Sequence, residues 1–204
     1  PYNPQYGAFN PSFKGKARLV FDGQADGSYW DIYCPLVGNG DSTFSYESAD
    51  DGAVALELRN GARYHVWKQS GNGKSVMKVT GTGIIQAGTA QWWGQRPTPL
   101  AGWKAVELAA GATLVLRQQR SYNAQFDLNP FNGEDTYVLS STPITGSGSV
   151  LATNVNDYDF HVLLRSGANT ATGTLSATGR ARFLIDNGAN WDGDVLFDNH
   201  IEIV

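Results

Sequence analysis

Cysteine, charge and long apolar runs are scarce in this sequence. Cys34 is the only cysteine among 204 residues, so the chain can form neither an internal disulfide nor a cysteine-based metal site. No apolar run approaches the roughly twenty residues that a membrane-spanning helix needs, so no membrane span is predicted. Charged residues make up 17% of the chain, and the net charge is −4 without a basic stripe, which argues against nucleic-acid binding.

Glycine and aromatic residues are abundant instead. The chain has 24 glycines, and 12% of its residues are aromatic. Glycine opposes helix formation, while aromatic and β-branched residues fit strands. This composition predicts an all-β protein built from short strands and many turns.

The chain divides into two parts. Residues 1–16 are rich in proline and lack any periodicity, so they are predicted to form an extended N-terminal arm, and residues 17–204 form a single all-β domain. Disordered tails usually lack aromatic residues, but this arm carries Tyr2, Tyr6, Phe9 and Phe13. We therefore expect the arm to dock, either onto its own domain or onto a neighbouring copy.

Strand and turn signals differ between the two halves of the domain. In the first half, residues 54–58 alternate before Asn60-Gly61, a hairpin-type turn signal, which indicates a meander of short strands. In the second half, Gly/Ser/Asn turns precede short apolar strands at uneven intervals. Stacked rungs with glycine corners explain that pattern, so we predict a β-solenoid with irregular rungs, with a β-sandwich as the alternative.

The segment from Gly146 to Phe197 contains GSGSVLATN, RSGANTATGTLSATG and FLIDNGANWDGDVLF. It resembles the autotransporter-associated β-strand repeats of bacterial surface proteins. The resemblance covers about a quarter of the chain. It implies a right-handed parallel β-helix with a structural or adhesive role at the cell surface, and it assigns no catalytic residue.

Two groups of side chains are candidate ligand sites. Asp192, Asp194 and Asp198 cluster in a turn-to-strand passage and offer the oxygens that calcium prefers, although aspartate is common in turns without any metal. Trp92 and Trp93 lie in a polar, aromatic segment. They suit either a glycan contact or a cap over one end of the core. No cofactor is required by any motif.

The last strand-like segment carries Ile201 and Ile203. This strand is either internal to the fold or paired with another subunit, because unpaired strand edges bind other strands. We predict the second arrangement, a subunit interface formed by these residues together with the aromatic residues of the arm. The chain begins with Pro1 instead of Met, which removal of a signal peptide would explain, with trimming of the chain as the alternative. The sequence thus predicts a secreted, non-enzymatic structural or adhesive subunit of a surface filament or biofilm, which self-associates and donates its arm to a neighbour.

Two other functions fit the same sequence. A carbohydrate-binding or tailspike-like receptor-binding module would use the tryptophan pair and take a polysaccharide as its partner. A polysaccharide-active enzyme on a short β-helix would use two distant carboxylates, whose separation a sequence does not reveal.

Overall fold

The protein is all-β in the part of the chain that the structure describes. This computed structural model describes residues 12–16, 18–23, 43–65, 68–87, 100, 102–118, 135–139, 142–154, 160–186, 188–196 and 201–203. The strands, in chain order, are β1 (Ser12–Gly15), β2 (Leu19–Asp22), β3 (Thr43–Ser48), β4 (Val54–Arg59), β5 (Ala62–His65), β6 (Lys68–Gly71), β7 (Val76–Thr80), β8 (Thr82–Ala87), β9 (Ala105–Leu108), β10 (Thr113–Gln118), β11 (Asp135–Leu139), β12 (Ile144–Gly146), β13 (Ser149–Asn154), β14 (Phe160–Leu164), β15 (Leu175–Ala177), β16 (Ala181–Ile185) and β17 (Ile201–Ile203).

The described strands form four sheets. Sheet I has the order β12-β9-β7-β4-β2, and sheet II has the order β15-β13-β10-β8-β5. Sheet III has the order β11-β14-β16-β17, and sheet IV has the order β1-β3-β6. Each pairing between these strands is parallel. A β-sandwich, by contrast, is built from antiparallel sheets.

The chain visits the sheets in a repeated order. It passes through sheets IV, I and II as β3, β4 and β5, and again as β6, β7 and β8. Strands β11, β12 and β13 repeat the circuit with sheet III in the place of sheet IV. The number of residues per circuit varies, because Leu56 pairs with Met77, 21 positions later, whereas Met77 pairs with Val106, 29 positions later. This connectivity is compatible with a β-solenoid of irregular rungs.

The core lies between the sheets and is built from aligned columns. In sheet I, Leu56, Met77, Val106 and Ile144 are in register and fully buried. The corresponding buried positions of sheets II and III are Leu114, Val150, Leu175, Val162 and Phe183. Since alternate residues of a strand point to opposite faces, the residues between them form the outer face. Burying each large aliphatic side chain contributes about 2 kcal/mol, so each stacked rung adds stability.

The turn at Asn60 and Gly61 is a corner, which corrects the hairpin and meander predicted for the first half. Asn60 has φ 50° and Gly61 has φ 80°, so the left-handed backbone expected of this dipeptide is present. The turn nevertheless connects β4 of sheet I to β5 of sheet II, and both strands pair in parallel with strands of the next circuit. A local turn signal does not specify which strands pair.

Glycines in the second half allow neighbouring rungs to approach closely. A Cβ atom on Gly148 would lie 2.6 Å from the carbonyl oxygen of Ala112. A Cβ on Gly173 would overlap the carbonyl oxygen of Gly148, and one on Gly193 would overlap that of Gly173. The three glycines therefore stack in one column where no larger residue fits, since a side chain would push the rungs apart.

The predicted arm contributes to the sheets of its own chain. Ser12–Gly15, within residues 1–16, forms β1 and pairs in parallel with β3, so that Phe13 is in register with Tyr46. The division between an arm and residues 17–204 otherwise stays a prediction, and residues 1–11 lie outside the described part of the chain.

Candidate interaction surfaces

The residues of the predicted subunit interface that the structure describes lie in two separate sheets. Phe13 lies on β1, at the edge of sheet IV, while Ile201 and Ile203 lie on β17, at the edge of sheet III. In register, Ile201 pairs with Phe183 and Ile203 pairs with Ile185, so β17 extends sheet III beyond β16. The predicted interface residues Tyr2, Tyr6 and Phe9 lie outside the described residues.

The predicted calcium ligands are described only in part. Asp192 and Asp194 are exposed, and an oxygen of Asp192 accepts a hydrogen bond of 2.8 Å from the side-chain amide of Asn190. Asp198 lies outside the described residues. Within the described ranges, no group of three or more His, Cys, Asp or Glu side chains is arranged to hold a metal ion. Calcium binding stays a prediction.

The tryptophans of the predicted glycan contact are not among the described residues. Trp92 and Trp93 both lie outside the described residues. Trp191, a tryptophan that the structure does describe, is half-buried against the core, and its indole nitrogen donates to the carbonyl oxygen of Gly173 at 3.0 Å. It therefore serves packing between rungs.

A buried asparagine corner lies within the segment that resembles the β-strand repeats. Asn169 is fully buried, and its Oδ1 accepts from the backbone N–H of Ile144 at 2.9 Å. Its Nδ2 donates to the carbonyl oxygens of Ser166 at 2.7 Å and Asn190 at 3.0 Å. Asn190 in turn donates to the carbonyl oxygen of Asn169 at 2.9 Å. The repeated Gly-Ala-Asn at 167–169 and 188–190 was the signal for this contact, which we did not predict from the sequence.

The outer face of sheet I carries a charge network closed within the chain. Glu57 is only 3% exposed and accepts hydrogen bonds from Arg59 at 2.6 Å, from Thr80 at 3.1 Å and from Arg18. The hydrogen bond from Arg59 lowers the pKa of Glu57 to about 2, with Arg18 and Thr80 adding to the effect against the opposing cost of burial. The carboxylate is therefore ionised at neutral pH.

The same face continues with paired charges of alternating sign. Lys78 is in register with both Glu57 and Glu107, and its ammonium lies 2.9 Å from a Glu107 oxygen. Asp22 is in register with Arg59 and accepts a hydrogen bond of 2.7 Å from Asn60. The charges named on this face are therefore paired within the chain.

The outer face of sheet II is composed differently. One row across its strands consists of the hydroxyl side chains of Thr82, Thr113 and Ser149, and Thr174 continues it, since its backbone N–H donates to the Ser149 hydroxyl oxygen at 3.0 Å. The next row consists of the half-buried aliphatic side chains Ile84, Val115 and Leu151. These three belong neither to the core cluster nor to the hydrophobic side chains packed against it, as far as the described residues show. Sheet II thus presents an apolar stripe on the side away from the core.

Two large hydrophobic side chains of the described residues are strongly exposed. Val20 on β2 is 44% exposed, and Leu196 is 55% exposed. Strand β2 is an edge of sheet I, next to β4. Leu196 follows Val195, whose parallel bridge to Leu175 extends sheet II beyond β15. The two side chains lie at opposite ends of the series of strands.

Comparisons with known proteins supply no analogue for these surfaces. No family model matches the chain, and neither the curated proteins nor the solved structures that were searched contain a match. Within the described residues there is no helix of the length and apolarity needed to cross a membrane. The functional argument therefore depends on the geometry of the sheets.

Proposed function

We propose that the protein is an extracellular structural or adhesive subunit, folded as a β-solenoid, that self-associates through its strand edges. The parallel pairing and the repeated circuit through the sheets support the solenoid. The right-handed form is favoured because crossovers between parallel strands are right-handed in about 98% of cases. A role at the cell surface agrees with the low charge and with the resemblance of residues 146–197 to autotransporter-associated repeats.

One observation carries the proposal of self-association: the strongly exposed hydrophobic side chains Val20 and Leu196 lie at opposite ends of the strand series. An edge strand has backbone N–H and C=O groups directed away from its sheet, and these groups pair with another strand. If one end of a copy docks onto the other end of the next, the contact does not close on itself and extends into a fibre.

The test uses two charged substitutions at exposed positions, Val20→Lys and Leu196→Lys. We expect the wild-type protein to form fibres in negative-stain microscopy and to sediment faster as its concentration rises. Each variant alone is expected to stay unpolymerised, because a desolvated lysine opposes docking. An equimolar mixture should stop at dimers, since only one intact joint remains between the two variants.

Ala110→Lys provides the control, because Ala110 is exposed in the turn before β10. This variant should polymerise as the wild type does. A wild-type protein that sediments as a monomer at every concentration would refute the proposal, as would equal polymerisation of all the variants.

The donated arm is tested separately by deleting residues 1–11. This deletion leaves β1 in place beside β3. If the arm joins the copies, the deletion should abolish fibres even though Val20 and Leu196 are intact. If fibres form at an unchanged rate and length, the arm is not donated and the strand edges dock directly.

A further inference from the structure

Asparagine followed by glycine is the sequence pair most prone to deamidation. The backbone nitrogen of the glycine loses its proton and attacks the side-chain carbonyl carbon of the asparagine, a C–N bond forms, and the side-chain nitrogen leaves as ammonia. Water then opens the resulting succinimide ring to aspartate or isoaspartate. Glycine favours this step because it has no side chain to hinder its nitrogen. The chain contains five such pairs: Asn39-Gly40, Asn60-Gly61, Asn72-Gly73, Asn132-Gly133 and Asn187-Gly188.

The backbone of Asn60 keeps the reacting atoms of its pair apart. Asn60 has φ 50°, and a residue in this left-handed region has ψ near about +47°. At this ψ, the nitrogen of Gly61 and the Cβ atom of Asn60 lie on opposite sides of the bond between Cα and the carbonyl carbon. Ring closure requires them on the same side. The corner must therefore open before Asn60 can react.

Hydrogen bonds hold both reacting groups of the same corner. The N–H of Gly61 donates to the carbonyl oxygen of Thr82 at 2.6 Å. The side-chain amide nitrogen of Asn60 donates to an oxygen of Asp22 at 2.7 Å. The chain also passes close over the corner, since a Cβ atom on Gly23 would lie 2.5 Å from the carbonyl oxygen of Asn60. The attacking nitrogen and the leaving nitrogen are thus each bound to a neighbouring strand.

Asn72-Gly73 lies in the connection between β6 and β7 and has a different geometry. Both residues are exposed, and Asn72 does not have the positive φ of Asn60. Its Oδ1 accepts a hydrogen bond of 3.2 Å from the backbone N–H of Lys74, which holds the side chain beside the backbone of Gly73 and polarises the carbonyl group that is attacked. The N–H of Gly73 donates to the carbonyl oxygen of Gly102 at 3.0 Å, so this single backbone bond has to break first.

We propose that Asn72 is a deamidation site of the folded protein, whereas Asn60 deamidates only when its corner has opened. Opening an exposed connection requires less free energy than separating packed rungs, so Asn72 reacts first. Each conversion adds a carboxylate. At position 72 the new charge lies in the exposed connection near Lys74, while at position 60 it lies against the carboxylate of Asp22.

A carboxylate at position 60 should disturb the edge strand β2. It can no longer donate to Asp22, the last residue of that strand, and it repels the Asp22 carboxylate instead. Strand β2 also carries Val20, which the end-to-end joint uses. This consequence rests on the proposed function: deamidation of Asn60 should weaken the joint, and deamidation of Asn72 should not.

The order of reaction is measured by mass spectrometry of proteolytic peptides after incubation in mildly alkaline buffer. In urea, all five pairs should convert at similar rates, because only the local sequence then acts. In the folded protein, Asn72 should convert at least about tenfold faster than Asn60. Equal rates of Asn60 and Asn72 in the folded protein, or conversion of Asn60 before Asn72, would overturn the proposal.

Asn60→Asp and Asn72→Asp reproduce the two aspartate products as a matched pair. Aspartate adopts the left-handed backbone as asparagine does, so these variants test the added charge. We expect Asn60→Asp to lower the Tm by about 3 °C, and Asn72→Asp to change it by less than about 1 °C. In negative-stain microscopy, fibres of Asn60→Asp should be shorter than those of the wild type, and fibres of Asn72→Asp should be unchanged.

The two proposals can fail separately. A wild-type protein that never polymerises refutes the proposed function, while the peptide rates still decide the order of deamidation. Equal Tm values of the two variants would contradict the role given to the contact between Asn60 and Asp22. Fibres of Asn60→Asp as long as those of the wild type would break the connection between this corner and the joint.

Discussion

The outer faces of sheets I and II belong to the same stack of strands and yet are opposite in character. On sheet I, Glu57, Lys78 and Glu107 follow one another in register, and their charges are compensated within the chain. On sheet II, the corresponding central row is Ile84, Val115 and Leu151. Each strand must present apolar side chains to the core, so the core-facing residues of the two sheets are alike. The outward-facing residues are free of that requirement, and they differ between the two sheets. One outer face carries paired charges, and the other carries a hydroxyl row and an aliphatic row.

The largest expected effect comes from opening the network on sheet I. Glu57→Gln removes the charge that Arg18 and Arg59 share, and it leaves two guanidinium groups close together. We expect the free energy of unfolding to fall by about 2 kcal/mol, less than for a fully buried pair because both arginines are half-exposed. Urea denaturation measures the change. Glu107→Gln is the control, because the ion pair of Glu107 with Lys78 is more exposed, and it should lower the free energy of unfolding by at most about 0.5 kcal/mol. Equal losses in the two variants would contradict the larger role assigned to Glu57.

A dependence on acid pH should follow from the same network. The folded pKa of Glu57 is about 2, compared with its ordinary value of 4.5. Between these values the unfolded chain binds more protons than the folded one, so stability rises with pH in this window. The contribution of Glu57 is complete above pH 4.5 and is lost as the pH falls towards 2. The difference in unfolding free energy between wild type and Glu57→Gln should shrink over this range, and a constant difference would contradict the assignment.

The smallest expected effect on stability is on sheet II. Val115→Thr preserves the shape and β-branching of a half-buried outer residue, so the free energy of unfolding should change by less than about 0.5 kcal/mol. Urea denaturation measures the change, and a loss above about 1 kcal/mol would place Val115 in the core instead of on the outer face.

The all-β class and several strands could be predicted from local sequence. Leu56 and Leu58 of β4 lie in the core with Glu57 between them on the outer face, and that period of two is visible in the sequence. Ala55 is buried as well, because the register of β4 is irregular between Val54 and Leu56. The same period occurs in parallel and antiparallel strands. The parallel pairing of β4 with β2 and β7 was therefore missed in the first half, where Asn60-Gly61 suggested a hairpin.

Less of the candidate surfaces could be predicted from the sequence. Alternation indicates that Glu57 is on the outer side of β4, but its burial depends on Arg18, 39 positions away. The apolar row on sheet II joins single residues from three strands, each ordinary in its own segment. The repeated Gly-Ala-Asn is visible in the sequence at residues 167–169 and 188–190. The hydrogen bond from Ile144 to Asn169 could not be predicted, because it depends on how the rungs are aligned.

By itself, the sequence determined the class of structure: scarce charge, many glycines and short alternating segments favour strands and left-handed corners over helices, since these preferences act within a few residues. Only the tertiary structure decided that the strands of the first half also pair in parallel, that Gly148, Gly173 and Gly193 meet in one column, and that three aliphatic residues form a stripe. The reason is that register is a relation between segments twenty or more residues apart, chosen by packing of the whole core instead of by any local preference.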